Sequence, residues 1–138
     1  MPGYSGTPLA KKLGIKDDFR VALLHVPAAV MAELRDAFVK CRIVKPAPGA
    51  LDFAFLFAKS RAGLALELPL AAEALAPAGM LWVSWPKKSS GVSSDLDENL
   101  VRKIGLAAGL VDIKVCAVTD IWSGLKFVIP VKNRPKPR

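Results

Sequence analysis

A loop rich in lysine and serine is the first part of this sequence whose residue types suggest chemistry. It follows an apolar segment and carries Lys87, Lys88, Ser89 and Ser90 in succession. Ammonium, hydroxyl and backbone N–H groups that converge from one loop can bind an anion. The loop lacks the Gly-x-x-x-x-Gly-Lys-Ser/Thr spacing of phosphate loops. We predict a small anion as its ligand; the alternative is a solvated loop whose lysines pair with neighbouring acids.

Further residues that could contact a ligand stand near the ends of other apolar segments. They are two cations, two tryptophans and a serine. Ligands of open α/β sheets bind outside the carboxyl ends of the parallel strands, so a parallel sheet would bring all these residues to one edge. Each tryptophan there either stacks on a flat ligand or covers the edge of the sheet. The predicted ligand site consists of Lys59, Arg61, Trp85, Lys87, Lys88, Ser89, Ser90, Trp122 and Ser123.

Nucleophilic catalysis and metal binding have little support among the residues. His25 is the only histidine, and no Gly-x-Ser-x-Gly motif supplies a serine nucleophile. One histidine and two distant cysteines, Cys41 and Cys116, make no metal-ligand set. We therefore predict no catalytic residue and no metal. We interpret His25 as bonded to backbone, with a general-base role as the alternative. We interpret both cysteines as reduced, buried apolar residues, with a disulfide or redox role as the alternative.

The composition indicates one globular domain. The chain has 138 residues, 52% of them apolar, and a formal net charge of +8. Four of those charges lie in the Pro-containing segment 132–138, which we predict to be unfolded, and residues 1–131 carry the remaining +4. Nucleic acid is therefore not an expected partner. No apolar stretch has the ~18–20 residues of a bilayer span and no export signal is evident, so we predict a cytoplasmic protein without membrane contact.

Three long apolar runs predict the strands that position the ligand edge: 20–26, 51–58 and 80–85. They are solidly apolar, as buried parallel strands are. A shorter strand is predicted at 41–45, and helices are predicted from Thr7 to Gly14, over 28–40, and from Ser60 to 77–79. Pro69 predicts a kink or break in the last of these helices. Strands that alternate with helices predict a parallel sheet.

The C-terminal part predicts one helix and a hairpin. Ser94, with Asp97 three residues later, resembles a capping box, and Gly109 ends the helix that follows. Strands at 112–119 and 125–132 flank the short connection 120–124, which makes them an antiparallel pair.

This order of elements resembles the Rossmann-like fold of the adenosylmethionine-dependent methyltransferases over residues 7–132. Segments 13–16, 51–58 and 79–85 are similar to the lead-in and to the fourth and fifth strands of that family. The resemblance implies an α/β, three-layer sandwich with a mostly parallel sheet and a C-terminal antiparallel hairpin. Members place an acid and a Gly-x-Gly turn after strand one and a second acid after strand two. Segment 25–29 contains no acid and no glycine, and segment 45–47 contains no acid, so we predict no cofactor.

The chain also resembles an uncharacterised bacterial family of unknown function. The motifs are YSGTPLAKKLG at 4–14, WVSWPKKSSG at 82–91 and the segment 122–127. The resemblance implies no activity. We predict a non-catalytic module that binds a small anionic or nucleotide-like ligand at the carboxyl edge of the sheet. The alternatives are an atypical methyltransferase and a module for nucleic-acid or protein interaction, and an apolar edge strand would permit a homo-oligomer.

Overall fold

Six strands form one sheet in the computed structural model, which describes residues 8–134. They are β1 (Arg20–Leu24), β2 (Arg42–Ile43), β3 (Leu51–Phe57), β4 (Leu75–Pro86), β5 (Val111–Ala117) and β6 (Trp122–Val128). Their spatial order is β2-β1-β3-β4-β6-β5. The first four strands are parallel, whereas β6 runs antiparallel to both of its neighbours. The predicted α/β fold, with a mostly parallel sheet and a C-terminal hairpin, is confirmed.

Four helices cover the two faces of this sheet. They are α1 (Leu9–Leu13), α2 (Ala28–Phe38), α3 (Arg61–Ala74) and α4 (Glu98–Ala107). Buried residues of α1 and α2 pack on one face, and those of α3 and α4 pack on the other. The period of four predicted for α2 is confirmed, because Val30, Leu34 and Phe38 are its buried residues. None of these helices is long and apolar enough to cross a membrane.

The face under α1 and α2 is built on aromatic rings. Phe53, Phe55 and Phe57 alternate along β3 and form one packed row. Trp82 of β4 is fully buried, and its Nε1 donates a hydrogen bond to the carbonyl oxygen of Leu13 at 2.8 Å. The bond satisfies the polar atom of a buried indole and fastens the end of α1 to the sheet.

The helix α3 differs from the sequence-based expectation at two points. It continues through Pro69, so the predicted break is absent, whereas a kink at this residue stays a prediction; Pro69 lies on the exposed side of the helix. The helix ends at Ala74, so residues 77–79 lie inside β4 and do not terminate α3. They form part of a bulge against β3, where a Cβ on Gly79 would overlap the carbonyl oxygen of Leu51.

Helix α4 begins later than predicted, because Asp97 and not Ser94 is its N-cap. The Asp97 carboxylate accepts a hydrogen bond from the backbone N–H of Leu100 at 2.8 Å, and a carboxylate at this position also favours the helix dipole. The Ser94 hydroxyl donates instead to the carbonyl oxygen of Lys59 at 2.7 Å. The predicted capping box is therefore wrong, and Ser94 joins two loops.

The hairpin turn is also shorter than predicted. Trp122, Ser123 and Gly124 are not its tip but the first residues of β6, and they pair with Pro86, Trp85 and Ser84 of β4. At the chain ends, the predicted cap Thr7 and residues 135–138 lie outside the described part, and Val131–Asn133 forms a short 3₁₀ turn. That segment 132–138 is unfolded stays a prediction.

Candidate functional site

A cleft of about 250 Å³ opens at the carboxyl edge of the sheet, between the ends of β1 and β3 and the start of β6. This edge cleft is lined by His25, Phe57, Ala58, Lys59, Ser60, Gly63, Glu67 and Trp122. Two residues of the predicted ligand site, Lys59 and Trp122, therefore lie in it together. They meet because β6 runs antiparallel to β4, so that the amino end of β6 lies at the same edge as the carboxyl ends of the parallel strands.

Aromatic rings form the floor of the edge cleft. Phe57 ends β3 and is 3% exposed, and Trp122 begins β6 and is 8% exposed. Their ring centroids are 4.9 Å apart in an edge-to-face arrangement, which is a favourable geometry for aromatic pairs. A flat ligand would therefore meet a rigid apolar surface at this point.

A histidine–glutamate pair forms one wall. His25 follows β1 with a φ of 60°, in the left-handed region, and its Nε2 lies 2.7 Å from Oε2 of Glu67 on α3. A carboxylate only accepts hydrogen bonds, so Nε2 carries a proton and donates it to Glu67. The sequence-based interpretation of His25 as bonded to backbone is thus replaced by a side-chain partner 42 residues away.

Lys59 and Ser60 form another wall of the edge cleft. The Ser60 side chain is the N-cap of α3 and accepts from the N–H of Gly63 at 3.0 Å, as the sequence predicts. Its own O–H remains available as a donor. Lys59 is exposed, and its ammonium group makes no hydrogen bond or ion pair within residues 8–134. The wall therefore presents one cation and one hydroxyl donor.

Arg61 stands next to this wall as the first residue of α3. Its backbone N–H donates to Oδ1 of Asp95 at 2.7 Å, so a carboxylate of the chain already occupies the amino end of the helix. The guanidinium group takes no part in this contact, and Arg61 is exposed to solvent. Arg61 contributes positive charge near the edge cleft but does not line it.

The lysine–serine loop lies on the other side of Trp122. The N–H of Lys87 donates to the carbonyl oxygen of Ile121 at 2.8 Å, which holds the loop beside the start of β6. Lys88, Ser89 and Ser90 form a 3₁₀ turn. The Ser90 hydroxyl donates to the carbonyl oxygen of Lys87 at 2.6 Å and accepts from Val92, so it stabilises the turn itself. Lys88 and Ser89 are exposed.

Trp85 and Ser123 point away from the edge cleft. Trp85 is 5% exposed and packs in the apolar cluster under α3 and α4, on the opposite face of the sheet from Trp122. The carbonyl oxygen of Ser123 accepts a hydrogen bond from the buried Ser84 hydroxyl at 2.6 Å. Neither side chain lines the edge cleft.

Neither cysteine lines the edge cleft, and the two do not bond to each other. Both are free and half-buried, which is less buried than predicted. Burial raises the pKa of the Cys41 thiol, with Asp17 adding to the effect, and burial likewise raises the pKa of Cys116. Both therefore stay protonated and weakly nucleophilic. Within residues 8–134, no three His, Cys, Asp or Glu side chains form a group that would hold a metal ion.

The turn after β1 does not fit adenosylmethionine in the way the family resemblance implies. Its left-handed residue is His25 and not glycine, so a side chain stands where backbone would approach a cofactor. Lys45 follows the second strand, and its charge is opposite to that of the expected acid. The chain therefore lacks both features by which that family is expected to hold its cofactor.

No family model and no curated protein matches this chain. Solved structures do match. A SAM-dependent methyltransferase from Aquifex aeolicus is 14% identical, with a TM-score of 0.59 over 88% of both chains. Magnesium protoporphyrin IX methyltransferase from Synechocystis PCC 6803, solved with bound SAH, is 10% identical, with a TM-score of 0.60 over 88% of this chain and 78% of that one.

The fold is methyltransferase-like. LepI, in complex with SAH and a substrate analogue, also matches, with 12% identity and a TM-score of 0.61 over 90% of this chain. The chain spans about half the length of LepI, 47%. At these identities the likeness concerns the fold alone, and function has to be argued from the site.

Proposed function

We propose that this chain is a binding module that holds a small anionic ligand in the edge cleft. The observation that carries the proposal is the combination of one unpaired ammonium, one hydroxyl donor and one imidazole around an aromatic floor. These groups belong to Lys59, Ser60 and His25, and the floor to Phe57 and Trp122. Sites for small ligands are apolar clefts with a few convergent polar groups.

The charges around the edge cleft favour an anion. Glu67 is the acidic residue of the lining, and it is already bonded to His25 at 2.7 Å. The ammonium of Lys59 is therefore left to attract a ligand, and Lys87 and Lys88 lie on the neighbouring loop. A charged hydrogen bond of this kind contributes about 1.5–3 kcal/mol to binding.

The volume of the edge cleft indicates a small occupant. About 250 Å³ lies just below the ~300–1,000 Å³ that accommodates drug-sized ligands. A carboxylate or phosphate group attached to a single ring is of suitable size, with the ring against Trp122 and the anion at Lys59. Recognition then depends on side chains and requires no glycine turn.

An atypical methyltransferase is the second candidate. Its support is the superposition with the Aquifex enzyme over nearly the whole length of both chains. It requires the turn 25–27 to accept a methyl donor although the left-handed residue of that turn is His25 and not a glycine. The two candidates differ in the ligand that the folded chain would bind.

Isothermal titration calorimetry of the full chain tests both candidates. The probes are inorganic phosphate, adenosine monophosphate, benzoate and adenosylmethionine. We expect saturable binding of at least one of the first three, with affinity about 10- to 100-fold lower for Lys59→Ala. Lys59 is exposed, so the melting temperature should not change. Lys103→Ala, an exposed lysine on α4, is the matched control and should bind as the wild type does.

The outcomes separate the candidates. Saturable binding of adenosylmethionine that depends on Lys59 would make the methyltransferase the leading hypothesis. Lack of binding by every probe to well-folded protein, or equal binding by Lys59→Ala and the wild type, would refute the edge cleft as an anion site.

A further inference from the structure

Helix α3 is apolar on the side that faces solvent as well as on the side that faces the sheet. Leu66 is 74% exposed and Leu70 is 67% exposed, and Ala62, Ala65 and Pro69 are exposed with them. We refer to these five residues as the outer face of α3. A surface helix normally presents polar residues to water, as α4 does with Glu98, Asn99 and Lys103. The outer face of α3 therefore has the composition of a covered surface.

A groove of about 510 Å³ runs along the same helix. It lies between α3 and the segment that follows β2, and its apolar walls include Leu24, Pro46, Pro48, Leu70 and Ala71. Leu70 belongs to both the outer face and the groove, so the two join into one largely apolar surface, and Lys45, Glu67 and Glu73 are the charged residues of the groove lining.

The charges on α3 are arranged to complement a second copy of the same helix. Arg61 stands at its amino end and Glu73 at its carboxyl end, both exposed and without an ion pair to any of residues 8–134. In an antiparallel pair related by a twofold axis near residue 68, Leu66 of each copy lies beside Leu70 of the other. Glu73 of each copy then comes close to Arg61 of the other, whose exposed guanidinium group carries a positive charge.

We propose that the outer face of α3 and the adjoining groove form an isologous interface between two copies of this chain. A second copy satisfies the apolar stripe and both charged ends at once. The proposal does not depend on the ligand of the edge cleft. Glu67 lines both the groove and the edge cleft, so the interface borders the proposed ligand site.

Sedimentation equilibrium of the full chain at about 1–100 μM tests the proposal, because standard-sized interfaces reach at least micromolar affinity. We expect a dimer. Leu66→Lys should raise the dimer dissociation constant by at least about 100-fold, since the dimer loses two buried leucines. Val39→Lys is the matched control: Val39 is 72% exposed at the end of α2, on the other face of the sheet, and its replacement should leave the dimer intact.

A charge-reversal cycle tests the orientation. Glu73→Arg places like charges beside Arg61 and should weaken the dimer, and the double variant Arg61→Glu/Glu73→Arg should restore it. The melting temperature of the wild type should rise with protein concentration, whereas that of Leu66→Lys should be constant, which also shows that the variant folds. A wild type that is monomeric throughout this range, or a dimer that Leu66→Lys leaves intact, would overturn the proposal.

Discussion

The left-handed backbone of His25 leads to a quantitative prediction about the candidate site. A non-glycine residue in this conformation costs roughly 1–2 kcal/mol, and His25 has a φ of 60°. Replacing it by alanine keeps this cost, and replacing it by glycine removes it at an entropic cost of roughly 0.5–1 kcal/mol. Both variants lose the contact with Glu67. We therefore expect His25→Gly to be more stable than His25→Ala by about 0.5–1 kcal/mol.

Urea unfolding followed by tryptophan fluorescence measures this difference, provided that both variants have the same denaturant slope. Backbone strain at a binding site persists where it serves the ligand. Both variants lack the imidazole that lines the edge cleft, so both should bind its anion more weakly than the wild type. The glycine variant should do so although it has lost the backbone strain. If His25→Ala is as stable as His25→Gly, residue 25 is not left-handed in solution, and the wall formed by His25 and Glu67 does not exist as described.

Two further predictions concern the packing of α4. A Cβ on Gly105 would overlap the ring of Phe127, so Gly105→Ala should lower stability by about 1–3 kcal/mol through overpacking in spite of its better helix propensity. Urea unfolding checks this, and Gly105→Ala should cost much less in a Phe127→Leu background; an equal cost there would contradict the explanation. The hydrogen bond from Arg102 lowers the pKa of Asp112. Stability from a carboxyl group whose pKa is lowered on folding is full above its unfolded pKa and disappears as pH falls through the folded value. The stability difference between wild type and Asp112→Asn should thus be full above the ordinary pKa of an aspartate, about 3.9, and should close as the pH falls below it, and a difference independent of pH would argue against this contact.

The sequence predicts the type of each element better than its ends, because ends depend on contacts between distant residues. The run 20–26 is predicted as one strand because most of its residues are apolar, but β1 stops at Leu24 since His25 leaves the extended conformation. Likewise, β6 begins at Trp122 because its first residues pair with β4, a partner that no local pattern identifies. Ser94 and Asp97 are both good caps, and the contact of Ser94 with Lys59 decides between them.

The faces of the strands explain which predicted site residues come together. Side chains alternate along a strand, so Trp82 and Trp85, three residues apart, lie on opposite faces of β4. Trp122 pairs with Pro86 and therefore shares the face of Trp82. The alternation of side chains along a strand is enough to predict from the sequence that Trp85 and Trp82 lie on opposite faces. Only the register between β4 and β6 places Trp122 on the same face as Trp82 and at the edge cleft.

Glu67 is the part of the site that sequence reasoning misses altogether. It is the only acid between Arg61 and Ala72, in a segment whose apolar spacing draws attention to Leu64 and Leu68. An isolated acid on an apolar helix is a usable signal, because it must find either water or a partner. Its partner, His25, is 42 residues away and reaches it only after β1 and α3 pack together.

The same pair indicates how this chain departs from the pattern that its family resemblance implies. A glycine after the first strand allows backbone to approach a ligand, and here a histidine adopts that backbone conformation and adds a side chain. On our proposal, recognition has moved from backbone to the side chains of His25, Lys59 and Ser60, which suits a small cleft. Glu67, which holds the imidazole, also lines the groove of the proposed dimer interface. If both proposals hold, a second copy packed against α3 restricts the side chain of Glu67 and, through it, the position of the His25 imidazole. Dimer formation should then strengthen anion binding in the edge cleft.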